Sequence, residues 1–216
     1  MTASSTGPSA QPSGGPSAGP SGGPSGEPSA GSSGGPSTGP SAPEPAALAA
    51  SDAAVVALQL GRAPRALLAV AHRCPCGLPD VVETAPRLAD GTPFPTLYYL
   101  TCPRAVAAVS RLEAGGLMRE MTQRTAADPS LRQACLAAHH DYLARRGEAA
   151  RRAGVEPLPP GTPSAGGMPD RVKCLHALVA HELAAPGTNP LGAEAARAAG
   201  PWWRAGPCVT PPAAAR

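Results

Sequence analysis

PTLYYLTCPRAVAAVSRLEAGG, residues 95–116, changes character at a single proline. Residues 95–102 mix β-branched and aromatic side chains and predict a strand. Pro103 has the fixed φ that suits a first helical position, and Val106, Val109 and Leu112 then recur at helical spacing up to Gly115-Gly116. A strand therefore runs straight into a helix. The residues on either side decide what kind of fold contains that junction.

Upstream, ALLAVAHRC (66–74) reads as a strand in which Leu68, Val70, His72 and Cys74 share one face. DVVET (80–84) reads as a second strand, and a turn at Asp90-Gly91 leads to the third. Three strands with connections this short form an antiparallel meander. Before them, Ser51 is a candidate N-cap for a helix carrying Val55, Val56 and Leu58 and ending at Gly61. Downstream the pattern is helical. A short helix carries Leu117 and Met121, and Asp128-Pro129 reads as cap and first turn of a long helix to about Arg152. Its apolar stripe is Leu131, Cys135, Ala138 and Tyr142. A Pro/Gly-rich loop covers 154–167. Asp170 is a candidate cap for RVKCLHALVAHELA, and a last helix covers 192–199. The expectation is an α+β fold: a small antiparallel three-stranded sheet packed with about five helices, in a single domain over 51–209.

Residues 1–48 are a different material. From Pro16 they run in tetrapeptide units, PSAG, PSGG, PSGE, PSAG, and no Val, Leu, Ile, Met or aromatic residue occurs between Thr2 and Pro45. Nothing there can offset the entropy of ordering, and glycine does not recur every third position as collagen requires. The segment reads as a disordered Pro/Ser/Gly-rich tail, a tether or a by-product of a repetitive coding stretch.

All 18 Lys and Arg follow position 61 and 13 of the 15 acids follow position 50, so the folded part carries about +5. That surplus is spread along the chain, which argues against a nucleic-acid partner. Arg145-Arg146 with Arg151-Arg152 is the densest basic patch, read as a solvated helix face. No apolar stretch follows Met1 and none approaches the ~18 residues that span a bilayer, so neither a leader nor membrane insertion is expected. The expected compartment is the cytoplasm, where the six cysteines stay reduced.

Those cysteines are the candidate chemistry. Cys74 ends the first strand with Cys76 just after it, in HRCPCG, and Cys102 ends the third. In a meander these two strand ends point the same way, and a helix start brings Cys174 towards them. Cys74, Cys76, Cys102 and Cys174 are the candidate metal ligands, for zinc or an iron–sulfur cluster, with Cys208 or His72 as substitutes. Packing thiols and reactive thiols remain alternatives, because CxC is a weaker metal signal than CxxC. Cys102 at a helix N-cap, beside Arg104, is the candidate for a lowered pKa. His176 lies ~200° round a helix from Cys174, which excludes chelation by CLH as long as both are helical. His181 reads as a hydrogen-bonded core histidine. No catalytic acid–base set and no phosphate-binding glycine loop is legible.

RCPCGLPDVVETAPRLADGTPFPTLYYLTCP (73–103), the following SRLEAGGL, GGMPDRVKCLHALVAHELA (166–184) and NPLG (189–192) resemble a bacterial, mainly actinobacterial, domain-of-unknown-function family, number 501. The resemblance covers about 51–209. It implies no activity. The genes of such relatives lie near those for a septum-forming coiled-coil protein and an exopolyphosphatase. The alternative it supplies is a non-catalytic interaction protein with structural cysteines, binding an unidentified protein partner in cell division or polyphosphate metabolism.

Overall fold

The computed structural model describes residues 46–47 and 49–211; the tail expected over 1–48 otherwise lies outside the described residues. The elements follow in the order β1 (Ala46–Ala47), α1 (Ala50–Leu60), β2 (Leu67–Arg73), β3 (Pro79–Thr84) and β4 (Tyr98–Leu100). Then come α2 (Pro103–Ala114), α3 (Leu117–Ala127), α4 (Pro129–Ala153), α5 (Leu175–Ala184) and α6 (Pro190–Ala199).

β2, β3 and β4 form the expected antiparallel meander, with Val70 opposite Val82 and Val81 opposite Leu100. The two residues of β1 extend it at the β2 edge, where Ala46 pairs with Val70. Every residue of β3 is buried, the mark of a central strand covered on both faces. Val81 joins the main core with Leu97, Leu100 and the α5 residues Leu175, Leu178 and Val179. Val82, on the opposite side of the pleat, is buried outside that core, and α1 packs on β3 there with Val55 and Val56.

The third strand is shorter than 95–102. Leu97 donates its N–H to the Tyr142 hydroxyl at 2.6 Å, and Thr84 Oγ1 donates to the Thr96 carbonyl. Side chains thus take the hydrogen bonds of the Leu97 N–H and the Thr96 carbonyl, while the Thr84 N–H still donates to the Leu97 carbonyl at 2.8 Å. The strand-to-helix junction is as read: Cys102 is the N-cap of α2 and Pro103 its first residue. Asp128 caps α4, with Oδ1 accepting from the N–H groups of Ser130 at 2.8 Å and Leu131 at 3.2 Å. Cys135, Ala138 and Tyr142 form the buried stripe of α4. The first helix starts at Ala50 with Ala49 as N-cap, so Ser51 lies inside it and does not cap it.

One helix start differs in a way that matters. Asp170 does not cap α5, which begins only at Leu175, with Cys174 at the N-cap in extended conformation (φ −155°). The cause is a close backbone approach. Lys173 donates its N–H to the Gly166 carbonyl at 2.6 Å, and a Cβ on Gly166 would lie 2.6 Å from the Cys174 carbonyl. Gly166 also has φ +60°, so two constraints favour glycine there. Residues up to Cys174 are thereby held against the 165–167 turn and kept out of the helix.

Candidate metal centre

Because Cys174 is extended and His176 is the second residue of α5, their side chains converge. Cys174 Sγ lies 3.9 Å from His176 Nδ1. The exclusion of chelation by CLH is therefore corrected: its premise, that both residues are helical, does not hold. The third member is Glu113, in the last turn of α2, whose Oε1 sits 3.1 Å from the same Nδ1. These three ligand atoms lie within 4.8 Å of one another, and among the described residues no other set of three or more His, Cys, Asp or Glu does so.

One face of α2 builds the site. Val106, Ser110 and Glu113 follow at helical spacing and all meet His176. His176 Nε2 lies 3.2 Å from the Val106 carbonyl and 3.2 Å from Ser110 Oγ. A carbonyl and a carboxylate only accept, so in the imidazolium Nε2–H donates to the Val106 carbonyl and Nδ1–H to Glu113, and loss of the Nδ1 proton frees that lone pair for a metal. Glu113 Oε1 also accepts the Leu175 N–H at 2.7 Å, giving α5 the cap expected from Asp170. Both His176 and Glu113 are largely shielded, with side chains 24% and 23% exposed. The hydrogen bond with Cys174 raises the His176 pKa to about 9; burial opposes this, and the Glu113 charge and the Val106 carbonyl reinforce it.

Cys174 and His176 also line a cavity of about 550 Å³, with Tyr98, Leu100, Pro103 and Val106 among its walls. The ligand cluster thus opens on an apolar space large enough for a small molecule.

A family described as a protein of unknown function (DUF501) matches residues 70–197. The chain belongs to this family. The DUF501 span contains Glu113, Cys174 and His176, and ends before Trp202 and Cys208. No curated protein and no solved structure matches the chain.

The remaining expected ligands of this DUF501 protein lie elsewhere. Cys74 and Cys76 interact with each other on the turn after β2, where the Cys74 N–H donates to the Leu78 carbonyl at 2.9 Å. Cys102 meets Cys208, whose sulfur accepts from Gln59 Nε2 at 3.3 Å. The separation follows from topology: β3 runs between β2 and β4, so their ends stand two strand spacings apart, ~9–10 Å. His72 Nδ1 is 2.6 Å from buried Asp80. Cys102 does occupy an N-cap, but its sulfur makes no capping bond. Burial, with the sulfur only weakly compensated, pushes its pKa up to about 11, opposite to the expected lowering.

The basic patch on α4 is also corrected. Arg146 is buried and donates to the carbonyls of Pro95, Thr162 and Pro163. Arg145 pairs with Asp141 and Arg152 with Glu83. Arg151, paired with Glu148, is the member that resembles a solvated face. The helical spacing holds, but arginine stems reach carbonyls and acids that sequence does not place nearby. His181 is the core histidine expected. It accepts from Asn189 Nδ2 at Nδ1, so Nε2–H donates to Asp141 at 3.0 Å. Among the described residues no helix is long and apolar enough to cross a membrane.

Proposed function

We propose that this DUF501 protein binds a transition-metal ion, with zinc as the first candidate, through Cys174 Sγ, His176 Nδ1 and Glu113 Oε1. The observation that carries the reading is the closure of these three atoms to within 4.8 Å at the wall of a cavity. Their spacing suits one ion. Tetrahedral bonds of ~2.3 Å to sulfur and ~2.0–2.1 Å to nitrogen and oxygen separate ligand atoms by roughly 3.3–3.6 Å. The free distances, 3.9 Å and 3.1 Å, bracket that range.

The donor set speaks for zinc over the hard cations, since calcium and magnesium take oxygen ligands. A single cysteine does not supply an iron–sulfur cluster, which is held mostly by cysteines. The Val106 carbonyl on Nε2–H is the kind of outer contact that orients a ligating histidine. Three protein ligands leave a fourth position for a small molecule, as in zinc sites that act on substrates. The arrangement is poor for a cysteine nucleophile. Cys174 and Glu113 compete for the same nitrogen, whereas a thiol base needs its orienter on the opposite one. A reducing compartment such as the cytoplasm is what this reading requires for Cys174.

Anaerobically purified full-length protein should carry zinc, and Cys174→Ser, His176→Asn and Glu113→Gln should each lose it. Zinc content near the parent level in all three variants would sink the proposal.

A further inference from the structure

A second cavity, of about 360 Å³, lies along another face of α2 and is lined by Arg104, Ala107, Ala108, Arg111, Ala199, Pro201 and Trp202. The alanines leave it open, and no carboxylate lines it. Arg104 and Arg111 stand two helical turns apart on the same face, ~10 Å along the axis, so their long side chains can reach a ligand held between them. Among the described residues neither arginine forms an ion pair, whereas six other arginines do. Arg104 Nη1 and Trp202 Nε1 are buried and have no hydrogen-bond partner.

The buried side-chain atoms left without a partner in this cavity are thus both donors. A buried donor without an acceptor is costly, and a guanidinium without a counter-charge more so. Arg104 is half-buried and Arg111 exposed, so water reaches part of both guanidinium groups while Arg104 Nη1 stays without a partner. We propose that this cavity binds the phosphoryl group of a small ligand, with Arg104 and Arg111 supplying charge and Trp202 Nε1 a third donor. A tetrahedral dianion matches two guanidinium groups and offers enough acceptors for all three, which a carboxylate does not. The site is separate from the Cys174 cluster and does not depend on the metal reading.

Trp202 and Trp203 are the two tryptophans of the chain, with ring centroids 5.0 Å apart, so indole fluorescence reports on this cavity. The full-length protein would be titrated with inorganic phosphate at constant ionic strength, with chloride and acetate as parallel arms. A saturable change with phosphate alone is expected, and Arg104→Gln should weaken it about 10-fold or more. Arg111 is exposed, so Arg111→Gln leaves the fold intact and should also weaken binding, which keeps the test valid if the Arg104 variant does not fold. A response that does not saturate, an equal response to acetate or chloride, or unchanged affinity in Arg111→Gln would overturn the proposal.

Discussion

The Cys174 carbonyl packs against Gly166 so closely that a Cβ there would sit 2.6 Å away. Eight residues apart in sequence, the two hold the chain out of helical geometry just before α5, and that lets Cys174 and His176 face one point. Gly166→Ala should therefore act on the candidate site as well as on stability. The strained φ and the overlap should cost about 2–4 kcal/mol. Urea denaturation measures that cost, and zinc content should fall with it. A variant as stable and as zinc-loaded as the parent would contradict this account of the turn.

The His176 ring should titrate late in chelator-treated protein. Its folded pKa, about 9, lies above the ~6.5 of an unfolded histidine. A raised folded value means that the imidazolium stabilises the fold fully below ~6.5, and that this contribution is lost as pH rises through about 9. NMR titration, assigned with His176→Asn, checks this; a midpoint near 6.5 would contradict it. Zinc should compete with that proton and release it on binding.

Buried cysteines should be poor nucleophiles here. Cys102 is 1% exposed and Cys74 3%, with pKa values raised to about 11 and about 12 chiefly by burial. At pH 8 about one Cys102 in a thousand is thiolate, so alkylation by iodoacetamide should await unfolding. Mass spectrometry per cysteine reads this directly. Native labelling of Cys102 as fast as in denatured protein would restore the reactive-thiol reading.

Arg146 and Arg151 are five residues apart on α4 and should behave oppositely. Arg146→Met strands three carbonyls and should cost roughly 3 kcal/mol. Arg151→Ala removes a side chain 70% exposed and should change stability by less than ~0.5 kcal/mol. Equal denaturation midpoints for the two variants would refute the assignment.

These contrasts show what sequence patterns carry. Local signals were reliable: Pro103 after β4, Asp128-Pro129 before α4 and the glycine at 61 all mark ends that the fold keeps. The meander, the long helix and its buried stripe follow from periodicity, which depends on near neighbours alone. The candidate site depends on distant ones. Glu113 caps Leu175 from 62 residues away, and no spacing rule links them. Asp170 looked like the cap because it is a capping residue in the right window. The glycines at 166 and 167, visible as GG before MPD, were the available signal of a tight approach. The convergence expected of Cys74 and Cys102 counts strand ends and leaves out β3, which runs between them.

The ligand set can be read most directly by zinc K-edge X-ray absorption on the anaerobically purified protein. The account predicts a single sulfur at ~2.3 Å with nitrogen and oxygen neighbours at ~2.0–2.1 Å, and loss of the sulfur shell in Cys174→Ser. A first shell with two or more sulfurs, or none, would contradict it.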